Sequence, residues 1–181
     1  MESRMIAKLA LPVSQRDHVQ GLPAAAVTLV EYGDYECPHC GRAHPIVKQT
    51  QKILGDELRF VFRHFPLAQM HPHAERAAEA AEAAGAQGRF WQMHDLLFEN
   101  QQTLDDSHLV RFAEILELDL ERFSRELDQG IYREKVREDF MSGVRSGVNG
   151  TPTFFINGIR HDGSWDMPSL LFALERASES V

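Results

Sequence analysis

The two cysteines of this chain, Cys37 and Cys40, stand with only Pro38 and His39 between them. Thiols at that spacing can exchange with disulfides, supply half of a zinc site, or sit inert in a core. A bridge across so few residues restricts the unfolded chain little, so the pair is a poor staple and a better reagent. A structural disulfide framework would draw on several cysteines, and the chain has two. For zinc, His44, His64, His71 and His73 are the nominees, but they lack regular ligand spacing and no second Cys-x-x-Cys exists. Dithiol redox chemistry is the reading the residues favour, with a metal site and an inert pair as the alternatives.

The surrounding residues give the pair its meaning. Val27-Thr28-Leu29-Val30-Glu31-Tyr32 is β-branched and apolar on both alternations, the pattern of a strand covered on both faces. From residue 38 to 54 the spacing is helical, with Ile46, Val47, Ile53 and Leu54 on the apolar side and Gly55 suited to the C-terminal cap. Pro38 fits the first helical position, where its missing N–H costs nothing, and Pro45 is expected to kink the helix. Cys37 then lies at the helix mouth, where free N–H groups and the dipole favour a thiolate and lower its pKa. His39 can add a positive charge or a hydrogen bond. Cys40, one turn further in, is placed to resolve a mixed disulfide.

Leu58-Arg59-Phe60-Val61-Phe62 reads as a second strand. Residues 73–148 show no convincing strand. Helices are expected over 74–84, which is rich in Ala and Glu, over 90–98, after a cap at Asp106 or Ser107, and over 120–127 and 131–144. The Phe, Trp and Met residues among them read as packing. Thr153-Phe154-Phe155-Ile156 is apolar again, and Asn157-Gly158 is a two-residue hairpin signal leading to a partner strand at 159–161. Asp166 caps a last helix with Pro168 near its first turn. A proline, Pro152, stands just before the 153–156 strand, where it is tolerated.

Composition sets the outer limits. The chain has 181 residues, 43% hydrophobic and 25% charged, the balance of an ordinary globular domain. A net charge of -8, without a basic cluster, argues against nucleic acid and anionic membrane as partners. The apolar run at 5–13 is short and broken by Lys8 and Pro12, so no export signal is read, and no stretch reaches the ~20 apolar residues of a membrane span. The expected location is cytoplasmic as written, and periplasmic or otherwise extracytoplasmic if an export signal has been removed.

Taken together, the strand, Cys37-Pro38-His39-Cys40 and the distant Gly150-Thr151-Pro152-Thr153 resemble the DsbA-type branch of the thioredoxin superfamily, over roughly residues 21–178. The resemblance implies an α/β, thioredoxin-like fold with an inserted helical domain. Residues 1–26 would be an N-terminal extension, 27–66 and 149–181 the core, and 67–148 the helical insertion. It implies thiol–disulfide exchange with no cofactor beyond a redox-active Cys37–Cys40 disulfide and no metal. Cys37 corresponds to the exposed attacking cysteine and Cys40 to the buried resolving one. Thr151-Pro152 corresponds to the cis-proline loop, whose Thr151 backbone would pair with an extended substrate segment. Glu31 matches a buried acid that assists proton transfer; burial would raise its pKa toward neutrality. A solvated strand end is the alternative for Glu31, and Arg59 is a candidate partner for it.

Partners implied are protein thiols or disulfides in extended segments and a redox recycling partner. The Pro-His dipeptide is typical of DsbA, which implies an acidic Cys37 and a relatively oxidising couple. A redox-inactive peptide-binding module and a cytosolic glutathione-linked reductase are the competing uses of the same fold.

Overall fold

In the computed structural model, which describes residues 6–180, the elements run as follows. They are β1 (His18–Gln20), β2 (Val27–Gly33), α1 (Pro38–Leu54), β3 (Leu58–His64), α2 (Ala74–Gly85), α3 (Phe90–Glu99), α4 (Asp106–Ile115), α5 (Leu120–Asp128), α6 (Arg133–Arg145), β4 (Thr153–Ile156), β5 (Ile159–His161) and α7 (Met167–Ser178). Two compact units emerge. One comprises residues up to Tyr32, Arg42–Arg63 and Met141 onward; the other comprises Gly33–Gly41 and His64–Phe140. The Cys37–Cys40 segment therefore clusters with the helices at 64–140 rather than with the sheet.

In the first unit the strands form a mixed sheet in the order β1-β3-β2-β4-β5. β1 pairs antiparallel with β3, β2 with β4 and β4 with β5. Nearly every residue of β2 and β3 is buried, as a sheet covered on both faces requires. The segment expected only as an extension joins this sheet. His18 aligns with Phe62 in β1, Lys8 bridges to Ile159, and Arg160 N–H donates to the Ala7 carbonyl at 2.9 Å. What secures it is Arg63, whose guanidinium gives two bonds to Asp17 (2.8 and 3.0 Å), two to the Leu11 and Pro12 carbonyls (3.0 and 3.2 Å) and one to the Tyr32 hydroxyl (2.9 Å).

The β4–β5 turn has Asn157 and Gly158 both at positive φ (47° and 78°), the left-handed pair that a tight hairpin needs. Helix α1 covers the expected residues and is followed by a 3₁₀ turn at Gly55–Glu57, with Gly55 at φ 51°. Its buried side is Cys40, Ala43, His44, Val47 and Thr50, whereas Ile53 is exposed because it falls off that line. Asp166 caps α7 by accepting from Ser169 N–H at 3.0 Å.

In the second unit, α2 packs on α3, α4 and α5. Its alanines at 74, 77, 78, 80, 81, 83 and 84 are all buried, and their small side chains let neighbouring helices come close. Two expected boundaries move. Asp105, not Asp106 or Ser107, caps α4, taking Ser107 N–H at 3.2 Å and His108 N–H at 3.4 Å. Helix α6 starts at Arg133 rather than at 131, because Gly130 at φ 62° is still turning the chain.

Candidate active site

The site begins where β2 ends. After Gly33 the chain turns through Asp34, Tyr35 and Glu36, and Cys37 N–H donates to the Asp34 carbonyl at 3.2 Å. Pro38 then opens α1, so Cys37 is the residue at the helix mouth and Cys40 lies in the first turn. That first turn carries no acidic side chain, leaving its unused N–H groups unopposed as anion-binding dipoles. Cys37 is 4% exposed against 0% for Cys40, so both thiols are buried, where the resemblance implied an exposed Cys37. The surface of this turn is carried by Pro38 and His39, both exposed.

The turn before Cys37 is tightly bound, in part through residues the sequence did not single out. Asp34, 1% exposed, accepts Glu36 N–H at 2.8 Å, Leu67 N–H at 2.9 Å and His71 Nδ1–H at 2.7 Å. Glu36 takes both the N–H (2.7 Å) and Nδ1 (2.9 Å) of His73. Gln101 donates from Nε2 to the Tyr35 carbonyl at 2.9 Å and the Cys37 carbonyl at 2.8 Å. Tyr35 is buried, with its hydroxyl 2.9 Å from His94 Nδ1 and its ring 4.8 Å from that of Phe98. His71 is subject to opposed effects: burial pulls its pKa down, but the Asp34 hydrogen bond and the charges of Asp34, Cys37 and Glu36 outweigh it, and the net shift is upward. His71 and His73, nominated from sequence only as metal ligands, instead serve these two carboxylates.

Other groups in the helical unit are also paired. His64 Nε2 meets Glu82 Oε1 at 2.8 Å, and His64 N–H meets Asp139 at 3.1 Å. Ligand atoms of these three residues lie within 4.8 Å of one another, the spacing a metal could use. Lys135 supplies positive charge there, 2.7 Å from Asp139 and 3.9 Å from Glu82. A cavity of about 740 Å³ opens on the same unit, with Leu67, Met70, Val136 and Phe140 along it and Glu79 and Arg133 at its polar part.

The remaining expected site residues belong to the sheet unit. Glu31 is 2% exposed within β2, so the solvated alternative does not hold. Arg59 does not reach for it; its guanidinium donates to the Thr28 hydroxyl (3.0 Å) and the Pro23 carbonyl (3.4 Å). Glu31 aligns with Phe154 and Tyr32 with Thr153, so the acid lies on the strand next to the one entered through Thr151-Pro152. The Thr151–Pro152 peptide is cis. Thr153 closes the turn with a 2.7 Å bond to the Gly150 carbonyl.

The thioredoxin family profile matches residues 13–176. The chain belongs to the thioredoxin family. Among solved structures, this thioredoxin-family chain is similar to BdbD from Bacillus subtilis in its oxidised form. Identity there is 25% and the TM-score 0.84, over 96% of this chain and 99% of that one. It is also similar to a thioredoxin-like oxidoreductase from Silicibacter pomeroyi DSS-3, with 27% identity and a TM-score of 0.82 over 93% and 95%. The α-DsbA1 of Wolbachia pipientis shares the fold at 22% identity and a TM-score of 0.81, over 95% of this chain and 94% of that one. The architecture is thus the thioredoxin-like fold with inserted helices found in DsbA-type thiol–disulfide oxidoreductases.

Among curated proteins, the thioredoxin-family segment is 48% identical over 178 residues to a protein named Na(+)/H(+) antiporter NhaA 1 from Salinispora arenicola. It is 46% identical over 182 residues to one named NhaA 3 from Salinispora tropica. These matches cover 97% and 99% of this chain but 27% and 28% of those proteins, so the chain spans about a quarter of their length. Among the described residues no helix is long and apolar enough to cross a membrane.

Proposed function

We propose that the chain exchanges disulfides with extended segments of protein substrates through Cys37 and Cys40, as a relatively oxidising couple. The observation that carries this reading is the placement of Cys37 directly before α1, whose first turn offers N–H dipoles and no carboxylate. In the oxidising direction a substrate thiolate attacks the Cys37 sulfur of the bridged pair and Cys40 leaves as a thiolate. A second substrate thiolate then attacks the substrate sulfur and Cys37 leaves. Glu31, buried in β2, is the group proposed to exchange a proton with Cys40. Thr151, preceding the cis Pro152, is proposed to offer its backbone to the substrate strand, and His39 to act on the Cys37 charge from the first turn.

Another protein must restore the disulfide after each turnover, so a recycling partner is part of the proposal. In a compartment held near the glutathione poise, a couple toward the DsbA end (about −120 mV) would sit reduced and run as a reductase. In an oxidising compartment it would run forward. The ion transport in the names of the longer relatives belongs to polypeptides of which the matched segment is a minor part; the reading here rests on the segment's own cysteines.

The test is a Cys40→Ala variant incubated with a reduced, unfolded protein and with a protein disulfide. Trapped mixed disulfides through Cys37 are expected. If none form and the intact chain also fails to oxidise the substrate, the reading is wrong.

A further inference from the structure

Two carboxylates, Asp34 and Glu36, immediately precede a cysteine that has to carry negative charge. Left alone, both would raise its pKa by like-charge repulsion. Each is instead answered by a histidine from one short segment: Asp34 by His71 at 2.7 Å and Glu36 by His73 at 2.9 Å. The Asp34 oxygens meet only donors, two backbone N–H groups and His71 Nδ1. That arrangement fixes the carboxylate as an acceptor and the His71 proton on Nδ1, so Nε2 is the ring nitrogen left to titrate.

We propose that His71, oriented by buried Asp34, is a positioning residue for thiol–disulfide exchange, a cation that stabilises the Cys37 thiolate and whose protonation is tied to the redox state of Cys37. The inference rests on the exchange chemistry proposed above. Its logic is reciprocity. His71 and Cys37 are joined through one residue: Asp34 takes His71 Nδ1–H on its carboxylate (2.7 Å) and Cys37 N–H on its carbonyl (3.2 Å), and the charges that raise the His71 pKa include those of Asp34, Cys37 and Glu36. If a thiolate at Cys37 favours the imidazolium, the imidazolium favours that thiolate by the same free energy. The chemistry makes this matter at a defined step. Two substrate thiolates and the Cys37–Cys40 disulfide become one substrate disulfide and two enzyme thiolates. Two electrons pass to the enzyme, and the last bond broken is the one between Cys37 and the substrate sulfur. Negative charge appears on Cys37 as that bond breaks, so a cation linked to it through Asp34 speeds departure and favours the reduced enzyme. In the disulfide that charge is gone, and His71 holds its Nε2 proton less firmly.

The experiment is an NMR titration of the His71 ring in the whole chain, once as dithiol and once as disulfide. The pKa is expected to be higher in the dithiol by about one unit, a tenfold change in proton affinity. Coincident titrations would overturn the inference. In parallel, ultraviolet thiolate absorbance is read in His71→Gln and His71→Lys. The glutamine variant, which keeps a donor toward Asp34 but no charge, should raise the Cys37 pKa by about one unit. It should also shift the glutathione exchange equilibrium about tenfold toward the disulfide, about 30 mV. The lysine variant should restore most of both. An unchanged Cys37 pKa in His71→Gln overturns the proposal. Separated His71 titrations in a chain that never traps substrate in Cys40→Ala would remove the exchange reading and leave the coupling standing; trapping with coincident titrations would do the reverse.

Discussion

Replacing Asp34 by Asn tests the architecture of the turn before Cys37, and the structure sets the size of the effect. Oδ1 accepts Glu36 N–H, while Oδ2 accepts both Leu67 N–H and His71 Nδ1–H. An asparagine has one acceptor oxygen, so its best choice is to keep the Oδ2 position and turn its NH₂ toward Glu36 N–H. One largely buried donor then loses its partner, at about 1–3 kcal/mol, and two surviving bonds lose their charge assistance, at about 1 kcal/mol each. The expected cost is about 3–5 kcal/mol, or a fall of roughly 1.5–2.5 M in the urea midpoint if m is near 2 kcal/mol/M.

A pH signature accompanies it. His71 has its folded pKa raised above the ordinary 6.5, so its contribution is fully present below that value and is lost as pH rises through the folded pKa. The gap between the native chain and Asp34→Asn should therefore be widest near pH 6 and shrink toward about pH 9. Urea unfolding at both pH values measures it. A midpoint within about 0.3 M of the native one, or a gap that widens with pH, would refute the account of Asp34 as the acceptor that organises this loop.

Asp17→Ala should be about as costly, roughly 3–5 kcal/mol, since it strands the 3%-exposed Arg63 as an unpaired buried cation; a loss below about 1 kcal/mol in urea unfolding would mean the pair behaves like a surface one. Glu79 has its pKa raised, chiefly by burial, so the folded state is penalised as pH climbs above 4.5. Glu79→Gln should then melt higher than the native chain at about pH 7 and level with it near pH 4, and a pH-independent difference would contradict this. The Tyr132 phenol is pushed up to about 12, by burial and then by its 2.7 Å bond to Glu126. Glu126→Gln should bring it down by about one unit in a tyrosinate absorbance titration, and no change would mean the bond is absent in solution.

Most of the architecture could be read from local pattern because it is locally encoded. The alanine-rich stretch forms α2, Asn157-Gly158 makes the hairpin, and Pro38 starts α1 where the missing N–H is harmless. What escaped was encoded by distant partners. β1 is three residues long and too short for a periodic signal, and its segment is held by Arg63, dozens of positions away. Arg63 and His64 looked like the end of a strand at 62, yet both are buried within β3 because Asp17 and Glu82 receive them. The cysteines were evident from their spacing. The groups that bind their turn were not: the sequence does not single out Asp34, His71 reads there only as a candidate zinc ligand, and only the fold brings the two to 2.7 Å.

The site also shows why overall charge says little about the field at one sulfur. The chain carries a net -8, and the two residues flanking Tyr35 are acids. A thiolate at Cys37 would be disfavoured by that composition if charge acted at long range, but exposed charges are screened within about 8 Å at physiological salt. What counts is the immediate surroundings. There both acids face histidines, the first turn of α1 presents N–H dipoles, and the clamp across the loop is a neutral amide. Gln101 holds the Tyr35 and Cys37 carbonyls from one nitrogen, and Gly41 leaves it the space: a Cβ on Gly41 would fall 2.1 Å from Gln101 Oε1. A charged side chain in place of Gln101 could make similar contacts, but would add a fixed charge that does not respond to the redox state of the cysteines. An amide fixes the geometry and leaves the electrostatics to His71 and the helix, which confines the charge coupling to a group able to gain and lose a proton.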